Sequence, residues 1–78
     1  DIDAIDPSQC PGTGTPEIGG LFSWQASYML KQLKGIDFVG MDVVEILPAH
    51  DVSGITALTG ASLIWNYLAV RNLTRRSK

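Results

Sequence analysis

Asp1 and Asp3 are the residues of this chain best placed, by type and spacing, to hold a charged partner. In an extended segment, residues two apart point to one face, so the two carboxylates would lie side by side. Carboxylates that close repel unless a cation sits between them, and hard divalent ions prefer such oxygen ligands. A turn is the other reading, because Asp, Pro, Ser and Gly all favour loops. Asp6, directly before Pro7, fits a turn cap. The glycines at 12, 14, 19 and 20 make no phosphate-cradling signature, since neither G-K-[ST] nor G-x-G-x-x-G is present. They read instead as backbone freedom around the acidic pair. Cys10 is the single cysteine and His50 the single histidine. One cysteine rules out an internal disulfide and fits a reducing compartment, and no base lies near it to make it a nucleophile. His50 reads as polar loop surface, and the N-L-T triplet at 72–74 as an incidental sequon.

Some framework must position these groups. Residues 1–20 are rich in proline and glycine and read as loop after a short first segment, with residues 1–3 as the stub of a strand. Ser23 is the expected N-cap of a helix whose apolar face is Ala26, Met29, Leu30 and Leu33, with Gly35 as its stop. The run I-D-F-V-G-M-D-V-V-E-I-L, residues 36–47, is nearly continuous in apolar and β-branched residues. That pattern predicts a strand buried on both faces, the habit of parallel sheets. A loop from Pro48 to about Gly54 leads to a second helix. Its expected buried stripe is Ala57, Ala61, Ile64 and Leu68, with the basic R-R-S-K at its C-terminal end. The order predicts a βαβα fragment of an α/β fold. Two strands cannot cover so apolar a run, so the chain reads as a piece of something larger.

Composition sets the outer bounds. The chain has 78 residues, 45% hydrophobic and 18% charged, with formal net charge −2. It is one domain at most, and small for a self-sufficient core. The charge balance offers no basic footprint for nucleic acid. No apolar run approaches the ~20 residues that cross a bilayer, and the acidic opening is unlike a secretory leader.

The stretch D-x-D-x-x-D-P, followed by P-G-T-G-T-P and G-G, resembles the ureohydrolase family of arginases and agmatinases. The segment G-M-D-V-V-E-I-L-P-A-H-D, with I-T-A-L a few residues on, is similar to that family's later motif in the same order. The resemblance spans roughly residues 1–68, and the P-G-T-G-T-P-E and M-D-V-V-E forms lean toward agmatinases. It implies the C-terminal part of a single catalytic domain, residues 1–78, in a three-layer α/β/α fold with a mainly parallel sheet. It implies a manganese-dependent amidinohydrolase that releases urea from a guanidino substrate, with agmatine ranked before guanidinobutyrate and arginine. Asp1 and Asp3 match aspartates that ligate two Mn²⁺ ions, which activate water for attack on the guanidinium carbon. Asp3 also matches the residue expected to shuttle the proton.

Glu45 matches the glutamate that grips the guanidinium, which suits a carboxylate able to accept two parallel N–H bonds. Its neighbours Val44 and Ile46 suggest a buried setting, and a surface glutamate at a strand end is the alternative. Asp42 would lie on the opposite face of a regular strand. Thr15 matches a threonine lining the substrate pocket. His50 stands where agmatinases usually have tyrosine and inherits no role. Glu17 and Asp51, if they reach the pocket mouth, would favour a cationic amine. The family's D-x-H-x-D ligands and its proton-relay histidine are not in this sequence, so the isolated chain is expected to be inactive. The resemblance further implies a homo-oligomer, trimer or hexamer, acting on a small molecule in the cytoplasm or mitochondrion. A non-catalytic module that associates with an intact subunit is the second reading.

Overall fold

The computed structural model describes residues 1–76; Lys78, the last base of the R-R-S-K cluster, lies outside the described residues. Two α-helices carry the architecture: α1 over Ser23–Lys31 and α2 over Ile55–Arg76. Single turns of 3₁₀ helix at Ile2–Ala4, Pro48–His50 and Val52–Gly54 punctuate the rest. No sheet forms among the described residues; the only β-type pairing there is an isolated parallel bridge between Ile5 and Leu21.

The first turn corrects the expectation of a strand stub at residues 1–3. Ala4 N–H bonds to Asp1 C=O at 3.2 Å and Ile5 N–H to Ile2 C=O at 3.1 Å, closing a 3₁₀ turn. At about three residues per turn, side chains two apart diverge around the axis. Asp1 is the N-cap and Asp3 lies within the turn, so the strand alternation that would put both on one face is not met.

Residues 36–47 do not form a strand either. A strand needs partners along its edges, and here the segment meets the first loop at two points. Ile2 N–H donates to Val44 C=O at 3.1 Å, and Leu47 N–H donates to Gly12 C=O at 2.7 Å. Val43 and Ile46 pack inward against the cluster of Ile2, Ile5 and Cys10, joined by Leu21, Ala26 and Leu63. Val39, Met41 and Val44 are exposed, so the expected burial on both faces is not met.

Helix α1 begins one residue earlier than Ser23 would cap it. Phe22 is the N-cap position, and its N–H is taken at 2.8 Å by the Gln25 side chain, three residues on. The helix ends at Lys31, and a run of turns carries the chain to Gly35 at φ +105°, a conformation glycine adopts freely. Met29 and Leu33 are exposed.

Helix α2 buries a different stripe from the one expected. Thr56, Gly60, Tyr67, Val70 and Thr74 face inward, while Ala57, Ala61, Ile64 and Leu68 are exposed. Gly60 lets residues 43–46 approach: a Cβ there would stand 3.2 Å from Ile46 Cδ1 and 3.4 Å from Val43 Cγ1. The far end of α2 clasps the chain leaving α1. Thr74 Oγ1 accepts the Gly35 N–H at 2.8 Å, which gives the sequon threonine a structural use. Arg71 Nε donates to Phe38 C=O at 3.3 Å, and the Phe38 and Tyr67 rings meet edge to face at 5.7 Å. Asn66 of α2 donates to Ser27 of α1 at 2.7 Å, tying the helices together.

Candidate functional site

The loop from Asp6 to Leu21 is held by its own polar atoms. Asp6 accepts the Ser8 N–H at 2.9 Å and the Gly19 N–H at 3.0 Å. The Ser8 bonds, aided by those from Gly19 and Gly20 and opposed by partial burial, hold its carboxyl below the usual 3.8. Asp6 thus closes both ends of the loop, as a turn cap should. Gly20 passes so near that an added Cβ would sit 2.7 Å from Ala4 C=O and 2.8 Å from Asp6 N. Cys10 is fully buried in the core, and burial is the main cause that pushes its thiol up. It is a packing residue.

Across this loop the Thr15 hydroxyl donates to Asp3 Oδ2 at 3.0 Å. Two of the residues singled out by the sequence, twelve positions apart, are thus in direct contact. Asp1 is exposed at the start of the same turn. With Ile2, Ala4 and Ile5 it borders a cavity of about 160 Å³ that Met41, Asp42 and Val43 also line. The cavity is mostly apolar at Leu21, Ala26 and Leu63.

Glu45 is carried on the segment that touches this turn, one residue after the Ile2–Val44 bond. Its φ is +75°, left-handed backbone that a non-glycine residue adopts only at a cost. That conformation breaks the alternation on which Asp42 and Glu45 were assigned to opposite faces. Glu45 is exposed, which corrects the expectation of a buried setting. The direct contact made within the chain is therefore Asp3 with Thr15; Asp1 borders the cavity, and Glu45 follows the residue whose carbonyl holds Ile2.

The donor chemistry of Asp1 and Asp3 suits a hard cation such as Mn²⁺, since both offer carboxylate oxygen. The number does not suffice by itself. Among the described residues there is no group of three or more His, Cys, Asp or Glu able to hold a metal ion. Two carboxylates supply part of a metal site.

Asp51 does not reach toward a substrate amine, as it was free to do on sequence grounds. Its Oδ1 accepts the Thr56 N–H at 2.8 Å and its Oδ2 the Ala57 N–H at 3.0 Å, capping α2. Burial pushes its carboxyl up, but the Ala57 and Thr56 bonds outweigh that and leave it below 3.8. The same helix end reaches the glycine loop through the Thr56 hydroxyl, which accepts the buried Gly12 N–H at 2.8 Å. Sequence reading missed Thr56 and Gly12 as partners. The available signal was an aspartate shortly before a helix whose first turn holds a threonine. His50 Nδ1 lies 3.4 Å from Thr13 C=O, so it too rests on this loop.

Comparison with known proteins bears on the whole chain. A sequence model described as the arginase family matches residues 1–69. A guanidinopropionase of Pseudomonas aeruginosa is 51% identical over 70 residues, 90% of this chain and 22% of the relative. A mitochondrial agmatinase of Gallus gallus is 53% identical over 90% of this chain and 21% of its own length. Among solved structures, a hypothetical agmatinase from Burkholderia thailandensis superposes with a TM-score of 0.94 at 42% identity, covering all of this chain and 25% of that one. An arginase from Bacillus subtilis gives 0.81 at 31% identity over 87% of this chain and 25% of its own. The chain thus spans about a fifth of the length of the curated relatives it matches.

Proposed function

The chain belongs to the arginase family, and from that premise we propose that it is the C-terminal part of the single catalytic domain of an amidinohydrolase releasing urea from a guanidino substrate. In the whole domain residues 36–47 would take the place of a buried parallel strand. The observation that supports this most directly is the Thr15–Asp3 bond at 3.0 Å, which brings a carboxylate and a hydroxyl of the opening stretch together across twelve positions. Asp1 and Asp3 are the metal ligands of the proposal, completed by residues outside this sequence. Two Mn²⁺ ions held there would supply an activated water and offset the charge that develops during hydrolysis.

The remaining roles fall to side chains. Glu45 accepts paired N–H bonds from the planar guanidinium and fixes its orientation. Thr15, anchored on Asp3, presents its hydroxyl oxygen to the same group. Asp3 takes a proton on a carboxylate oxygen and passes it to the amine nitrogen as the C–N bond breaks. The non-catalytic module remains the second reading, since the chain alone carries only part of the ligand set.

Agmatine, yielding putrescine, is the first substrate of the proposal. Relatives named agmatinase and guanidinopropionase match about equally well, so the guanidinium end is common and the far end differs. With Asp51 committed to its helix, the acidic group left to favour a cationic amine is the exposed Glu17 on the loop. The intact enzyme is expected to act as a homo-oligomer, trimer or hexamer, in the cytoplasm or mitochondrion. Its kcat/KM should rank agmatine first, then guanidinobutyrate, then arginine, with guanidinopropionate as a further comparison. A clear preference for a carboxylate-bearing substrate overturns the ranking, and no urea from any guanidine overturns the function.

A further inference from the structure

Gly12 lies where three separate elements meet. Its N–H is held by Thr56 Oγ1 at 2.8 Å, in a buried bond, and its C=O accepts the Leu47 N–H at 2.7 Å. An added Cβ at Gly12 would come within 2.6 Å of Asp51 Cβ, 2.8 Å of Thr56 Oγ1 and 2.9 Å of Asp51 Cα. Real Cβ atoms do not approach that closely, so the loop backbone rests directly on Asp51. Asp51 in turn is fixed by its two bonds to the Thr56 and Ala57 N–H groups. The Thr56 hydroxyl is fully buried and aimed at the loop. Three residues beyond Gly12 along the chain stands Thr15, bonded to Asp3.

We propose that Asp51 and Thr56 are positioning residues: together they clamp the backbone at Gly12 to the start of α2, and so set where the Thr15 hydroxyl stands against the Asp3 carboxylate. The inference rests on the function proposed above for Thr15 and Asp3, and extends it to two residues that touch neither substrate nor metal. Leu47 carries the same clamp to the other side. Because Leu47 is two residues from Glu45, one anchor point sets the register of both segments that would meet a guanidinium. A catalytic group displaced by a fraction of an ångström loses much of its effect, which gives the clamp leverage over turnover.

The experiment uses the intact enzyme with its metal, comparing Thr56→Val, Thr56→Ser and Asp51→Ala with the parent. Valine matches threonine in shape and removes the acceptor of the Gly12 N–H, whereas serine keeps it. Hydrogen exchange by mass spectrometry, on peptides covering residues 11–17, reads the clamp without reference to any substrate. The expected result is faster exchange in Thr56→Val and in Asp51→Ala, which removes both acceptors of the Thr56 and Ala57 N–H groups. With it should come a fall in kcat/KM on the order of 10- to 100-fold, measured well below the unfolding temperature and with manganese content unchanged. Thr56→Ser should behave as the parent in both readouts.

Unchanged exchange in Thr56→Val overturns the clamp. Faster exchange with parental kcat/KM overturns the positioning role, and so does a loss of turnover that tracks a loss of manganese. If the parent releases no urea from any guanidine, the proposed function fails, and the exchange arm alone decides whether the clamp exists. Gly12→Ala is a second, harsher variant, expected to release the loop through the contact with Asp51.

Discussion

The Thr15–Asp3 bond makes charge and position separable at Asp3. Asparagine at this position keeps an oxygen that can accept the Thr15 hydroxyl, yet it is neutral and a poorer ligand for a hard cation. Asp3→Asn in the intact enzyme should therefore lose bound manganese and most urea release while the loop stays in place. Two ions per subunit with normal turnover would remove Asp3 from the metal site. Glu45→Gln separates shape from charge in the same way. Losing charge-assisted hydrogen bonds costs roughly 1.5–3 kcal/mol, which is about a 10- to 150-fold fall in kcat/KM. Metal content should not change. A variant kinetically identical to the parent makes Glu45 scaffold. Asp1 and Asp3 stood out in the sequence by type and spacing, whereas Thr15 and Glu45 were singled out through the family resemblance. The left-handed backbone of Glu45 could not be read there, since nothing marks a non-glycine residue at φ +75°.

Helix α2 shows what periodicity can and cannot tell. Apolar residues lie on more than one of its faces, so spacing alone admits several stripes. The buried one is built from Thr56, Gly60, Tyr67, Val70 and Thr74, where small or hydroxyl-bearing residues meet loop backbone. Hydrophobicity gives no weight to threonine, and the exposed stripe of Ala57, Ala61, Ile64 and Leu68 was the more apolar choice. The N-terminal cap of this helix carries a pH signature. Asp51 has a folded-state pKa below its ordinary 3.8, so its contribution to stability is complete above that value and is lost as pH falls through the folded one. Acidification of the intact enzyme below about pH 4 should expose the Thr56 and Ala57 amides to exchange earlier than amides further along α2. In Asp51→Ala, which has no acceptor oxygen, those amides should exchange fast at every pH, with no such acid step. An acid step that persists in the variant would assign it to another carboxylate, with Asp6 next in line because its pKa is lowered too.

At the scale of the molecule, the chain is more extended than a self-contained domain of its length. Its radius of gyration is 13.2 Å, against about 11.5 Å from the scaling of compact domains. The fully buried apolar cluster is Ile2, Ile5 and Cys10, while Val39 is 90% and Trp65 75% exposed. Residues 36–47 give the reason. Their apolar run suits a strand enclosed by neighbours, and among the described residues they meet the first loop through two backbone bonds. The apolar character of the run was legible in the sequence; its lack of strand geometry among the described residues was not, because hydropathy does not reveal which backbone groups find partners. Chain 1–78 expressed alone should therefore associate or aggregate, because exposed apolar side chains such as Val39 and Trp65 favour self-contact. It should release no urea from agmatine with added manganese, since it supplies two of the ligands a two-metal site needs. Light scattering after size exclusion, denaturant unfolding and a urea assay check each part. A monomer with one sharp unfolding transition would contradict the account of 36–47, and urea release would show that Asp1 and Asp3 suffice without the rest of the site.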